Sequence, residues 1–193
     1  MPTKGLRERY LARIADLAGG PGQLYEIAEA DEDHVSVVTY KDMPEPGHLT
    51  AFSYGLSTAN HAEWTFSRPE LMISVASKDA SWALCMGEII RNHRTDVLFE
   101  YGSVLVFGET IEDGCPMSSF LVFASNLLNA EQQRIALGKT IVNISQLYPI
   151  YDSEGDLVLE LGAERFFFEL GIEFENINRA PARRPTKTRP RKH

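Results

Sequence analysis

The chain's 193 residues are 44% hydrophobic and 24% charged, which excludes a disordered chain and supports one well-buried core without room for a second ordinary domain. No apolar run nears the ~20 residues that span a bilayer, and no signal-peptide core follows the charged start Met1-Pro-Thr-Lys-Gly-Leu-Arg7, so a cytoplasmic protein is expected. The net charge of -8 divides unevenly: residues 1–178 hold 12 basic against 27 acidic side chains, that is −15, a body that repels nucleic acid and favours basic proteins.

Leu6, Tyr10, Leu11, Ile14 and Leu17 recur at helical spacing and Gly19-Gly-Pro-Gly22 stops them, which predicts an amphipathic helix over residues 4 to 18. After the acidic run Glu29-Ala-Asp-Glu-Asp33, the β-branched stretch His34 to Tyr40 reads as a strand. Pro44 and Pro46 force a loop, and Leu49 to Tyr54 and Glu70 to Ala76 form two further strands across the polar connection Gly55 to Arg68. Asp79 is placed to accept the free amides of a second helix, with Trp82, Cys85, Met86, Ile89, Ile90 and His93 on one face. Val104 to Phe107 and Phe120 to Phe123 read as one hairpin, and Thr140 to Leu147 as a sixth strand that Pro149 ends.

Ser153-Glu-Gly-Asp156 resembles a capping box opening a helix, which Gly162 divides in two and Gly171 caps. From residue 179 onward prolines alternate with basic side chains and no large apolar residue follows, so 179–193 is expected to be a disordered basic tail on a domain of residues 1–178. There are no internal repeats. Strands and helices are grouped instead of alternating, which predicts an α+β fold: a mostly antiparallel or mixed central sheet with helices packed on it, all six strands in one sheet.

The chemistry-bearing motifs are missing: there is no phosphate loop, dinucleotide fingerprint or nucleophile elbow. Histidines 34, 48, 61 and 93 and the two cysteines, Cys85 and Cys115, show no metal-ligand spacing. Asp152 to Asp156 is no calcium loop, because the twelfth position from Asp152 is Ala163. Neither a metal nor a cofactor is therefore expected, and no catalytic residue is assigned. Loop 55–64 gathers Ser57, His61 and Glu63, which a small hydrolase would use as nucleophile, base and orienter. The same residue types are ordinary loop formers, and no oxyanion-hole element accompanies them. Tyr54 and Trp64 bracket that loop; aromatics anchor protein interfaces, so Tyr54, His61 and Trp64 are the expected partner-binding residues. The basic tail can contact nucleic acid only weakly, since it has no interleaved aromatics to stack on bases.

Phe52-Ser-Tyr-Gly-Leu-Ser57, Arg68-Pro-Glu-Leu-Met72 and Leu147-Tyr-Pro-Ile-Tyr-Asp-Ser-Glu154 followed by Gly162 together resemble the suppressor-of-fused domain over roughly residues 25 to 175. The resemblance implies an α+β domain with no catalytic residue or cofactor that binds proteins. Bacterial members resemble immunity proteins that neutralise toxins, so the partner implied is a protein, of which a basic toxin domain is one kind. The animal protein holds its partner peptide between two domains, and one is present here. Arg68, Pro69, Glu70, Pro149 and Glu154 are implied to be determinants of the fold.

Overall fold

Thirteen residues of amphipathic sequence form helix α1, Leu6–Ala18, which stops where Gly19 takes the left-handed conformation at φ 81°. The computed structural model describes residues 5–28, 34–64 and 66–184. Strands β1 (Gln23–Ala28), β2 (Val35–Lys41), β3 (Leu49–Tyr54) and β4 (Arg68–Val75) follow as an antiparallel meander, and helix α2 (Ser81–His93) comes next. Asp79 acts as expected at the start of α2, its Oδ1 accepting the Ser81 amide at 2.8 Å. Strands β5 (Val104–Val106), β6 (Ser119–Phe123), β7 (Arg134–Leu137) and β8 (Thr140–Ile150) complete the sheet, and helices α3 (Asp152–Leu161) and α4 (Ala163–Glu169) close the sequence of elements.

All eight strands share one mixed sheet in the order β1-β2-β3-β4-β8-β6-β5, with β7 paired to the first part of β8. β4 and β8 run parallel, Leu71 opposite Ser145, and the other pairs are antiparallel. The α+β reading and the single sheet are therefore as the sequence predicts. One face is covered by α2, whose Trp82, Met86 and Ile90 pack on Val37, Ala51, Leu71, Ile73 and Leu147. Gly87 makes this close approach possible: a Cβ there would stand 2.5 Å from a side-chain carbon of Ile27. The other face carries α1 over Phe52, Met72, Val142 and Ile144, and α3 and α4 over Leu121, Tyr148 and Ile150. Burying each large apolar side chain of these layers stabilises the fold by about 1.5–3 kcal/mol.

The structure departs from the sequence reading in several places. β8 runs through Pro149 to Ile150, where Pro149 is expected to end it. Pro149 stands opposite Phe120 of β6, beyond Leu147, the last residue paired with β4. Its missing N–H thus faces a side where no ladder partner needs it. Helix α3 is capped by Glu154, which accepts the Tyr151 amide at 2.9 Å, and not by Ser153.

The segment given to the tail begins with an anchored residue. Arg179 is buried and holds the fully buried Glu154 through two bonds of 2.6 and 2.7 Å, while the Ala182 amide donates to Glu154 at 2.6 Å. A buried carboxylate selects such a partner regardless of the low apolar content around it, because an unpaired buried charge is very costly. Residues 185–193 and the acidic stretch 29–33 lie outside the described residues. Among the described residues no helix is long and apolar enough to cross a membrane.

Candidate functional site

Where β3 ends, the chain must turn sharply out of the sheet, and Gly55 does so at φ 121°; a Cβ there would stand 2.1 Å from the His34 carbonyl oxygen. The loop that follows is fixed from beneath by one side chain. Glu70 of β4 is fully buried. Its Oε1 accepts the amides of Gly55 and Ser57 at 2.9 Å each and the Ser57 hydroxyl at 2.6 Å. Its Oε2 accepts the Ser53 hydroxyl at 2.6 Å. Burial pushes the Glu70 carboxyl above the usual range, and these four hydrogen bonds pull it back towards the charged form. Arg68 adds two bonds from its guanidinium to the carbonyls of Ser57 and Ala59, at 3.0 and 2.8 Å.

On that base the loop presents His61 stacked on Trp64, ring centroids 4.5 Å apart and planes 20° from parallel. The Glu63 amide donates to His61 Nδ1 at 3.3 Å, which orients the imidazole. Trp64 is half-buried against the core beneath α2. Phe66, two residues on, is 92% exposed.

Trp64 forms one wall of a cleft of about 470 Å³ whose opposite wall is the segment Leu98 to Tyr101 and whose floor is Pro69, Asn143 and Ser145. Phe99 in that wall is buried and adopts φ 53°. A bulky residue at positive φ is strained, and such strain gathers at ligand-binding sites. Tyr101 is 57% exposed and its ring lies 5.6 Å from Phe123, which the exposed Phe168 also contacts at 5.9 Å. Glu63 and Glu100 line the cleft, and among the described residues no basic side chain does. The arrangement offers aromatic surface flanked by negative charge, the chemistry of an interface for apolar and basic side chains.

The expected site residues separate. His61 and Trp64 come together at the cleft, whereas Tyr54 is buried on the opposite face with its ring 5.6 Å from Tyr10 of α1. Ser57 is buried and its hydroxyl is bound to Glu70, not to His61, so the nucleophile–base pair of the hydrolase reading is not formed. Phe66, Phe99 and Tyr101 escape sequence reasoning; Phe66 alone had a local signal, being an aromatic in a polar loop. Cys85 and Cys115 are buried, with burial pushing both thiols up. Among the described residues no group of three or more His, Cys, Asp or Glu side chains is placed to hold a metal ion.

The family model described as suppressor of fused protein (SUFU) matches residues 31–180. No curated protein matches the sequence. Among solved structures, the fold resembles a chain of the Sufu–Fu complex with a TM-score of 0.70 and 14% identity, over 93% of this chain and 92% of that one. It resembles a putative SUFU homolog from Neisseria gonorrhoeae FA 1090 with a TM-score of 0.69 and 16% identity, over 90% and 94%. It also resembles Drosophila Suppressor of Fused with a TM-score of 0.66 and 13% identity, over 89% of this chain and 49% of that one. The chain thus spans about half the length of the Drosophila protein, and at these identities the likeness concerns the fold.

Proposed function

Because the chain belongs to the suppressor of fused family, we propose that it works by binding another protein through the cleft between Trp64 and Tyr101. The observation that carries this reading is the exposed Phe66 beside the stacked His61–Trp64 pair. An almost fully exposed phenylalanine loses about 1.5–3 kcal/mol of possible burial in the free protein, and a partner recovers it. In one similar structure the Sufu protein is in complex with Fu, so the fold accommodates a protein partner.

The partner in this reading is basic, and a toxin domain neutralised by direct binding is the kind that fits. Its support is the −15 charge of residues 1–178 and the two carboxylates, Glu63 and Glu100, on the cleft walls. Such charge mainly accelerates and selects encounters, while the aromatics supply affinity. Tyr54 contributes from beneath, by packing the strand from which the loop departs. Nucleic acid is limited to weak, salt-sensitive contact with Lys187, Arg189, Arg191 and Lys192. The test is affinity capture with the full chain from its native host, followed by titration of the purified partner. Phe66→Ser should weaken binding about tenfold or more while leaving the melting temperature unchanged. Unaltered affinity would remove the cleft from the account.

A further inference from the structure

With 27 acids against 12 bases in residues 1–178, an arginine on this body has a carboxylate within reach almost anywhere. Most of the described arginines use one or a carbonyl. Arg7 pairs with Glu26, Arg91 with Glu88 at 2.6 Å, Arg165 with Glu169 at 3.1 Å and Arg184 with Glu160 at 2.7 Å. Arg179 is held by Glu154, and Arg68 by two backbone carbonyls.

Arg9, Arg13, Arg134 and Arg183 differ, and the first three stand together. Among the described residues none of these three guanidiniums has an ion pair or hydrogen bond, and all three line one cleft of about 540 Å³. Arg9 and Arg13 stand four residues apart on α1, hence on one face of the helix. Arg134 opens β7, against which α1 packs. The two-residue turn from β7 to β8 is Gly138-Lys139, and Gly138 lines the same cleft. Arg9 Nη1 reaches to 3.7 Å from the point where a Cβ on Gly138 would stand. Buried Ile135 and Leu137 line the cleft as well, and Asp16 is its one acidic lining residue.

Like charges gathered from two separate elements repel, and here no described carboxylate has been paired with them to relieve it. An anion would. Each guanidinium presents a planar fork that matches two oxygens of a phosphate or carboxylate. A carboxylate has two oxygens and is satisfied by one fork, whereas a phosphoryl group offers enough oxygens and charge for three. The size of the cleft and the −15 charge of the surrounding body disfavour a long polyanion. We propose that this cleft, between α1 and the β7–β8 hairpin, binds a small phosphorylated anion. It lies on the α1 face of the sheet, opposite the Trp64 cleft, and does not depend on the partner-binding reading.

The test is calorimetric titration of the full chain with inorganic pyrophosphate at low salt, with vesicles containing phosphatidic acid in a parallel arm. Arg13→Gln and Arg134→Gln should each weaken pyrophosphate binding about tenfold, and the double variant should abolish it. Arg91→Gln, on α2 across the sheet, should bind as the parent does. All these side chains are exposed, so thermal melts should be unchanged, which separates loss of a site from loss of fold. Undiminished pyrophosphate binding by the double variant would place any anion contact elsewhere, for instance on the basic residues after 185, and overturn the proposal. Binding to the vesicles with none to free pyrophosphate would also overturn it, in favour of a lipid surface.

Discussion

Replacing Glu70 tests how the loop that carries the aromatic pair is held. Glu70→Ala removes the acceptor of four hydrogen bonds, from the Gly55 amide, the Ser57 amide and the hydroxyls of Ser57 and Ser53. The hydroxyls can turn elsewhere, but the two amides are fixed and buried. Each unsatisfied buried donor costs about 1–3 kcal/mol, so the two together cost about 2–6 kcal/mol before any cavity is counted. That is a large part of the ~5–15 kcal/mol that stabilises a domain. Glu70→Gln keeps an oxygen for Gly55 and Ser57 and loses only the charge-assisted bond from Ser53, so it should cost about 1–2 kcal/mol.

The pair of variants also carries a pH signature. Burial raises the folded-state pKa of Glu70 above its unfolded value, so the folded state binds the proton more tightly. The stability this contributes is fully present below the unfolded pKa and is lost as pH rises through the folded one. The margin of the parent over Glu70→Gln should therefore shrink as pH rises from about 4. Urea unfolding of all three proteins across that range measures both effects. An Ala variant within 1 kcal/mol of the parent would show that Glu70 does not hold the loop.

Further outcomes follow from the same structure. Ending the chain at Asn178 strips Arg179 from buried Glu154 and should cost about 3–5 kcal/mol; ending it at Arg184 should leave the melting temperature unchanged, as a thermal melt of both truncations would show. Gly55→Ala sets a Cβ against the His34 carbonyl at φ 121° and should cost about 1–3 kcal/mol from strain alone, read as a lower urea midpoint with an unchanged slope. Ser57→Ala removes one bond to Glu70 and should cost about 1 kcal/mol without altering partner affinity, because its hydroxyl is buried.

Much of the fold was legible because its strands carry strong local patterns: residues 34 to 40 are rich in β-branched side chains, and Val35–Lys41 is β2. β1 was not, since Gln23–Ala28 is an edge strand with Leu24 43% exposed and two polar residues among six. β7 has four residues, too few to display a period, although its burial alternates cleanly. The determinants implied by the resemblance are the two buried carboxylates and their neighbours: Glu70 fixes the loop, Arg68 clamps it, Glu154 receives Arg179, and the Pro149 carbonyl accepts Arg179 Nη2 at 3.2 Å. At the site, His61 and Trp64 were visible as an imidazole and an aromatic three residues apart. Tyr54 could not be told from them, because strand periodicity assigns a face but not which helix covers it. Phe99 and Tyr101 lie more than thirty residues from Trp64 in sequence, and the floor they share with it exists only because β4 pairs with β8.

Titration of the captured partner against the parent chain, Phe66→Ser and Leu159→Ser tests protein binding through the aromatic cleft most directly. Phe66 and Leu159 are both strongly exposed, at 92% and 80%, so neither change should disturb the fold, and only Phe66 stands beside the Trp64 cleft. Phe66→Ser should raise Kd about tenfold or more, and Leu159→Ser should leave it unchanged. Equal affinities for all three proteins, or a loss confined to Leu159→Ser, would contradict binding through the aromatic cleft.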